Sequence, residues 1–182
     1  MLLSITPEDA LQLIASPRQI LKDRIVPAEF SHSPDSPYRP DYDWLFIYER
    51  RIAAFLEKWL KPYRYELIGE NGILCEALSN AFFHGHAKDP HKPIIVRVIL
   101  GERGLIVQIK DTGPGFDVQT VYHCYRAQKK YYCKAGNGIR LMARSSSFGI
   151  LHDTTGTIFV LMHLFDDALA SLPSHQRITE SV

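Results

Sequence analysis

The sequence has little of what marks several common protein classes. Cysteine is scarce: Cys75, Cys124 and Cys133 make three, an odd number that argues against a disulfide framework and for free thiols in a reducing compartment. Neither charge sign dominates, with 21 basic against 20 acidic residues, so no global field draws the chain to nucleic acid or anionic membrane. Long apolar runs are missing as well, because the longest uncharged one, Thr157 to Phe165, is too short to cross a bilayer. The opening MLLSITPEDALQLIA carries acids where a signal peptide carries bases, so the expected location is cytoplasmic. The GxxxxGK[ST] loop and the HRD and DFG tripeptides are absent, which excludes the commonest phosphoryl-transfer signatures. His84, His86 and His91 with Cys124 and Cys133 show no C-x-x-C or H-x-x-x-H pairing, so zinc is not expected.

What is present is enough apolar material, 46% of 182 residues, for one well-buried domain. Seven of the eleven prolines fall in the first 62 residues, four of them from Pro27 to Pro40 in a segment without apolar periodicity. Residues 1–42 therefore read as an extension, a short helix from Pro7 followed by a proline-rich loop. A domain is expected over 43–168 and a tail over 169–182. Helical spacing of Trp44, Ile47, Tyr48, Ile52, Phe55, Leu56 and Trp59 predicts a helix from Asp43 to Leu60, stopped by Pro62. A second helix is expected from about Glu66 to His84. Two hairpins follow, Pro93–Leu100 with Gly104–Lys110 and Phe148–His152 with Thr157–Leu164, around a short helix from Asn137 to Ser146. The first hairpin reads as having one buried face.

Three segments carry candidate chemistry. Glu76 and Asn80, four apart with His84 continuing the row, project from one helix face and reach a common ligand. A carboxylate there suits proton abstraction and an amide oxygen suits Mg²⁺, although a solvated helix face shows the same spacing. Asp111-Thr112-Gly113-Pro114-Gly115-Phe116 puts a carboxylate at a strand end, followed by backbone that approaches a ligand closely; an ordinary glycine-proline turn is the alternative. Gly136-Asn137-Gly138 precedes a helix and offers amides to an anion, as do many loops that bind nothing.

In this order the segments resemble the GHKL (Bergerat-fold) ATPases in their anti-sigma-factor serine/threonine kinase form. Glu76 to Gly85 matches the asparagine box E-A-x-x-N-A-x-x-H-G, Asp111 to Phe116 matches D-x-G-x-G-F, and Gly136 to Ile139 matches G-x-G-[LIM]. The resemblance implies an α/β two-layer sandwich, with a mixed, mostly antiparallel sheet, helices on one face and ATP between the layers. It implies Glu76 as general base, Asn80 as the Mg²⁺ ligand and Asp111 as acceptor of the adenine amino group, supported by Thr157. Gly136 and Gly138 are the implied phosphate contacts. His84, Gly113, Gly115, Phe116, Asn137 and Ile139 belong to the same nucleotide-binding motifs. Lys134 comes from the implied lid between Asp117 and Gly136, where Arg126, Lys129 and Lys130 interleave with Tyr122, Tyr125, Tyr131 and Tyr132. That basic charge could neutralise triphosphate, meet an acidic partner or simply be solvated; a single-strand nucleic-acid surface is the remotest reading.

The implied function is phosphorylation of a regulatory partner protein, anti-anti-sigma-like or sigma-like, by a homodimer. The rivals are a nucleotide-gated sequestration module without catalysis and a detached histidine-kinase catalytic domain, which would need a phospho-accepting histidine that the helix to Leu60 lacks. The relatives begin with a strand before their first helix, and here the proline-rich extension stands in that place.

Overall fold

A computed structural model describes residues 1–30, 40–127 and 137–178. Seven strands form one sheet: β1 Leu2–Leu3, β2 Arg18–Ile25, β3 Ile94–Leu100, β4 Gly104–Lys110, β5 Gly149–His152, β6 Ile158–Leu164 and β7 Arg177–Ile178. Their order across the sheet is β2-β3-β4-β6-β5-β1-β7. Among the described residues the β1–β5 pair alone is parallel, so the sheet is mixed and mostly antiparallel.

Strand alternation sorts the core into two layers. Leu105, Val107 and Ile109 of β4, with Ile150, Phe159 and Leu161, face the long helices. Ile106, Leu151, Val160 and Met162 point the other way, under a short helix α1 (Pro7–Leu13) and the 3-10 turn Phe165–Ser171. The first hairpin is therefore buried on both sides at Ile106, where one buried face was expected. The principal helices occupy one face, and α1, capped by a Thr6/Asp9 box, adds cover to the other.

On the main helical face, α2 (Pro40–Leu60) buries Trp44, Tyr48, Ile52, Leu56 and Leu60, one residue per turn. It begins at Pro40 rather than Asp43, since a first-turn proline surrenders no helical hydrogen bond. The expected helix from Glu66 to His84 is broken into α3 (Arg64–Leu67), α4 (Ile73–Asn80) and a π turn, Ala81–Gly85. The break is made by Gly69, at φ +94°, and Gly72, where a Cβ would lie 2.4 Å from the Ile68 carbonyl carbon. Two further helices, α5 (Val118–Arg126) and α6 (Asn137–Ala143), complete this layer.

The first 42 residues contain more than a short helix and a loop. RQILKDRI is β2, an edge strand paired along its length with β3, so a strand does precede the first long helix. Its charged residues disguised it, and charge is what protects an exposed sheet edge from further pairing. At the opposite edge Leu2 pairs with both Ile150 and Ile178, so the segment expected as a tail returns to the sheet. No helix among the described residues is long and apolar enough to cross a membrane.

Candidate nucleotide site

Between α4 and the sheet lies a cavity of about 480 Å³, within the ordinary range for small-molecule sites. The helix side supplies Glu76, Asn80 and His84; the loop after β4 supplies Asp111, Gly115 and Phe116; the start of α6 supplies Gly138 and Ile139. Three segments separated in sequence thus converge on one space.

Glu76 and Asn80 are joined on the helix surface, the Asn80 Nδ2 donating to Glu76 Oε1 at 3.1 Å. This bond sets the amide's orientation: its N–H faces the carboxylate, leaving Oδ1 as an acceptor for a hard cation. A Cβ on Gly138 would lie 1.9 Å from the same Glu76 Oε1, so with the carboxylate in this position α6 comes this close because residue 138 has no side chain.

Asp111 stands at the end of β4, where its N–H donates to the Thr157 carbonyl at 3.1 Å. Its Oδ1 accepts the Gly113 amide at 2.7 Å. Burial holds the carboxyl above the usual carboxylate range, opposed by the Gly113 amide and the nearby His86. Gly85, ending the π turn, abuts it so closely that a Cβ there would lie 2.5 Å from Asp111 Cγ. Widened helical turns of this kind are frequent at functional sites. Gly113 lies behind the carboxylate rather than on the cavity wall. Gly115 (φ +72°) and Gly156 (φ +72°) hold Phe116 beside the second hairpin's turn, with the Phe116 amide donating to the Thr155 carbonyl.

Thr157 meets Asp111 through its backbone, while its hydroxyl pairs with that of Thr155 at 2.8 Å. Lys134 and Gly136, with Lys129, Lys130, Tyr131, Tyr132 and Cys133, lie outside the described residues, as does the side chain of Asn137. No group of three or more His, Cys, Asp or Glu side chains arranged for a metal occurs among the described residues.

Sequence reasoning missed His152, Phe159 and Ile109 on the cavity floor. Period two supplied a signal for the first: Ile150 faces the helices, so His152 does too. Its ring meets Phe116 at 5.1 Å and Phe159 at 5.5 Å between centroids, and its Nδ1 is 3.0 Å from the Tyr122 hydroxyl on α5. Desolvation lowers the His152 pKa to about 4, against a small opposing effect of Asp153, and keeps the ring neutral. Between pH 6.5 and 4 the unfolded chain therefore binds the proton that the fold refuses. Stability from this group is complete above 6.5 and drains away as pH falls, by on the order of 2–3 kcal/mol. Urea unfolding at pH 7 and pH 4.5 checks this. The joint variant His152→Phe/Tyr122→Phe, which removes both polar partners, should lose distinctly less stability over that interval; an equal loss rules the account out.

A sheet with its principal helices over one face, and a carboxylate-amide pair sharing a glycine-lined cavity with a strand-end aspartate, define a nucleotide-binding ATPase domain. The chain belongs to the histidine kinase-like ATPase domain family, whose model matches residues 50–150. Among its relatives, the anti-sigma F factor of Heyndrickxia coagulans is 29% identical over 94 residues, covering 50% of this chain and 63% of that protein. The anti-sigma F factor of Shouchella clausii (strain KSM-K16) is 29% identical over 92 residues, covering 50% of this chain and 62% of its own. The chain thus spans less than two thirds of either relative.

Proposed function

We propose that this chain is an ATP-dependent protein kinase of the anti-sigma type, acting in the cytoplasm on a serine or threonine of a regulatory partner protein. The observation that carries the reading is the Glu76–Asn80 pair sharing a nucleotide-sized cavity with Asp111. The names of the two relatives support a sigma-like or anti-anti-sigma-like partner. A homodimer is part of the same proposal.

Asp111 accepts the adenine amino group, and the apolar floor of Ile109 and Phe159 receives the base. Asn80 would hold Mg²⁺ through Oδ1; the oxygen donor and the adjoining carboxylate fit a hard, hydrated cation, and the ion supplies charge neutralisation of the triphosphate when bound. Glu76 Oε1 is engaged by Asn80, which fixes the carboxylate's direction. Glu76 takes the proton of the acceptor hydroxyl as that oxygen bonds to the terminal phosphorus and ADP departs. His84, Gly138 and Ile139 line the cavity, and by the motif Gly136, Asn137 and Gly138, with Lys134, take the role of phosphate contacts.

Calorimetry with Mg²⁺-ATP on wild type, Asn80→Ala and Asp111→Asn tests the site. Micromolar-range binding by wild type, weakened about tenfold or more in both variants, is expected. Wild type that binds no ATP sinks the proposal. Transfer from labelled ATP to candidate regulatory proteins then tests the reaction. Acid-stable label on serine or threonine supports it; acid-labile label on histidine points to the histidine-kinase reading; binding without transfer leaves a nucleotide-gated sequestration module.

A further inference from the structure

His86 follows the π turn and is completely buried. Its Nε2 accepts the Thr112 amide at 3.1 Å and lies 3.3 Å from the Thr112 hydroxyl. An imidazole nitrogen that accepts an amide N–H carries no proton, so in the neutral ring the proton sits on Nδ1. That Nδ1 is buried without a partner among the described residues. An orphaned buried donor costs stability that an aromatic hydrocarbon ring in the same space would not. The return for this cost lies at the other nitrogen, which grips the backbone one residue beyond Asp111.

The surroundings show what that grip controls. Asp111 Oδ1 accepts the Gly113 amide, so residues 111–113 form a tight loop with the carboxylate folded over its own backbone. Gly85 presses on the carboxylate from one side, and a Cβ on Gly113 would lie 2.0 Å from the Gly85 carbonyl oxygen. The π turn and the Asp111 loop are thus in backbone contact, and His86 is the side chain that bonds one to the other. Its own backbone N–H donates to the Ala81 carbonyl at 2.9 Å, five residues back, and so ties the His86 backbone to the π turn that continues the helix bearing Asn80.

We infer that His86 is a positioning residue for base recognition: by holding the Thr112 amide it aims the Asp111 carboxylate at the exocyclic amino group of adenine and sets the preference for adenine over a 6-oxo purine. This rests on the reading of Asp111 as the base acceptor. Burial also lowers the His86 pKa, consistent with a neutral ring that accepts.

The experiment measures affinity for ATP and for inosine triphosphate, which has a carbonyl where adenine has the amino donor. His86→Phe should lower the ATP-to-ITP affinity ratio at least about tenfold, chiefly by weakening ATP. His86→Gln, whose amide oxygen falls near the position of Nε2, should keep the ratio within about threefold of wild type. A wild-type ratio in His86→Phe, or equal weakening of both nucleotides, overturns the inference, because a purely structural defect acts on both alike. Asp111→Asn is measured in parallel. If it leaves the ratio unchanged, the base-acceptor reading itself falls and this inference with it; if it alone changes the ratio, only the role of His86 falls. Nitrogen-15 NMR of the wild-type imidazole gives an answer independent of any variant. Nε2 should be the unprotonated nitrogen, and a proton found there refutes the arrangement.

Discussion

Glu76→Gln is expected to lower phosphoryl transfer to the partner protein by about 10²–10⁴-fold while ATP affinity stays within about threefold of wild type. The substitution preserves shape, and the new amide oxygen still accepts from Asn80 Nδ2, so the pair and the close approach of α6 survive. What disappears is the ability to take a proton. Loss of an interaction used only in the transition state lowers the rate and spares ground-state binding, which separates this role from a merely structural one. Single-turnover transfer with saturating ATP, beside calorimetric affinity, checks both halves. Transfer at the wild-type rate removes Glu76 from the chemistry. A parallel fall in affinity assigns it to nucleotide binding instead.

The parts of this fold legible in the sequence are those where local chemistry and tertiary packing agree. Both hairpins lie within a residue of their expected ends, because β-branched alternation and glycine-marked turns are also what the sheet requires. The convergence of the three segments on one cavity has a different sequence signal: spacing that is ambiguous piece by piece becomes specific in combination. Residues governed by distant partners were not legible. β2 carries Arg18, Lys22, Asp23 and Arg24, an edge strand's protection, and reads as loop unless β3 is known to lie beside it. The 66–84 segment repeats its apolar pairs on both sides of Gly69 and Gly72, and the Glu49 carboxylate accepting the Gly69 amide, a partner distant in sequence, holds the turn that those glycines permit. His86 sits immediately after a recognisable motif, and its importance depends on Thr112, 26 residues away.

That dependence on backbone proximity makes Gly113, behind the cavity wall, a sensitive position for the site. Gly113→Ala is expected to weaken ATP binding about 30- to 100-fold or more, with the sheet and helices intact. A methyl group there runs into the Gly85 backbone, at 2.0 Å from its oxygen and 2.6 Å from its carbonyl carbon and Cα. Backbone yields far less readily than a side-chain end, so the Asp111 loop and the π turn have to separate. Overpacking of this kind costs about 1–3 kcal/mol, and 1.4 kcal/mol is a tenfold change in affinity. Separation also removes the Gly113 amide from Asp111 Oδ1 and draws Thr112 off His86, so the carboxylate loses its aim as well as its support. The contrast with Gly138 follows from the same geometry: there the added carbon meets the mobile end of Glu76, which can swing away without shifting any backbone. Circular dichroism establishes that the variant is folded, and calorimetry reads the affinity. A folded Gly113→Ala that binds ATP like wild type shows that the contact between π turn and strand end is dispensable for the base, and moves recognition to the floor formed by Ile109, His152 and Phe159.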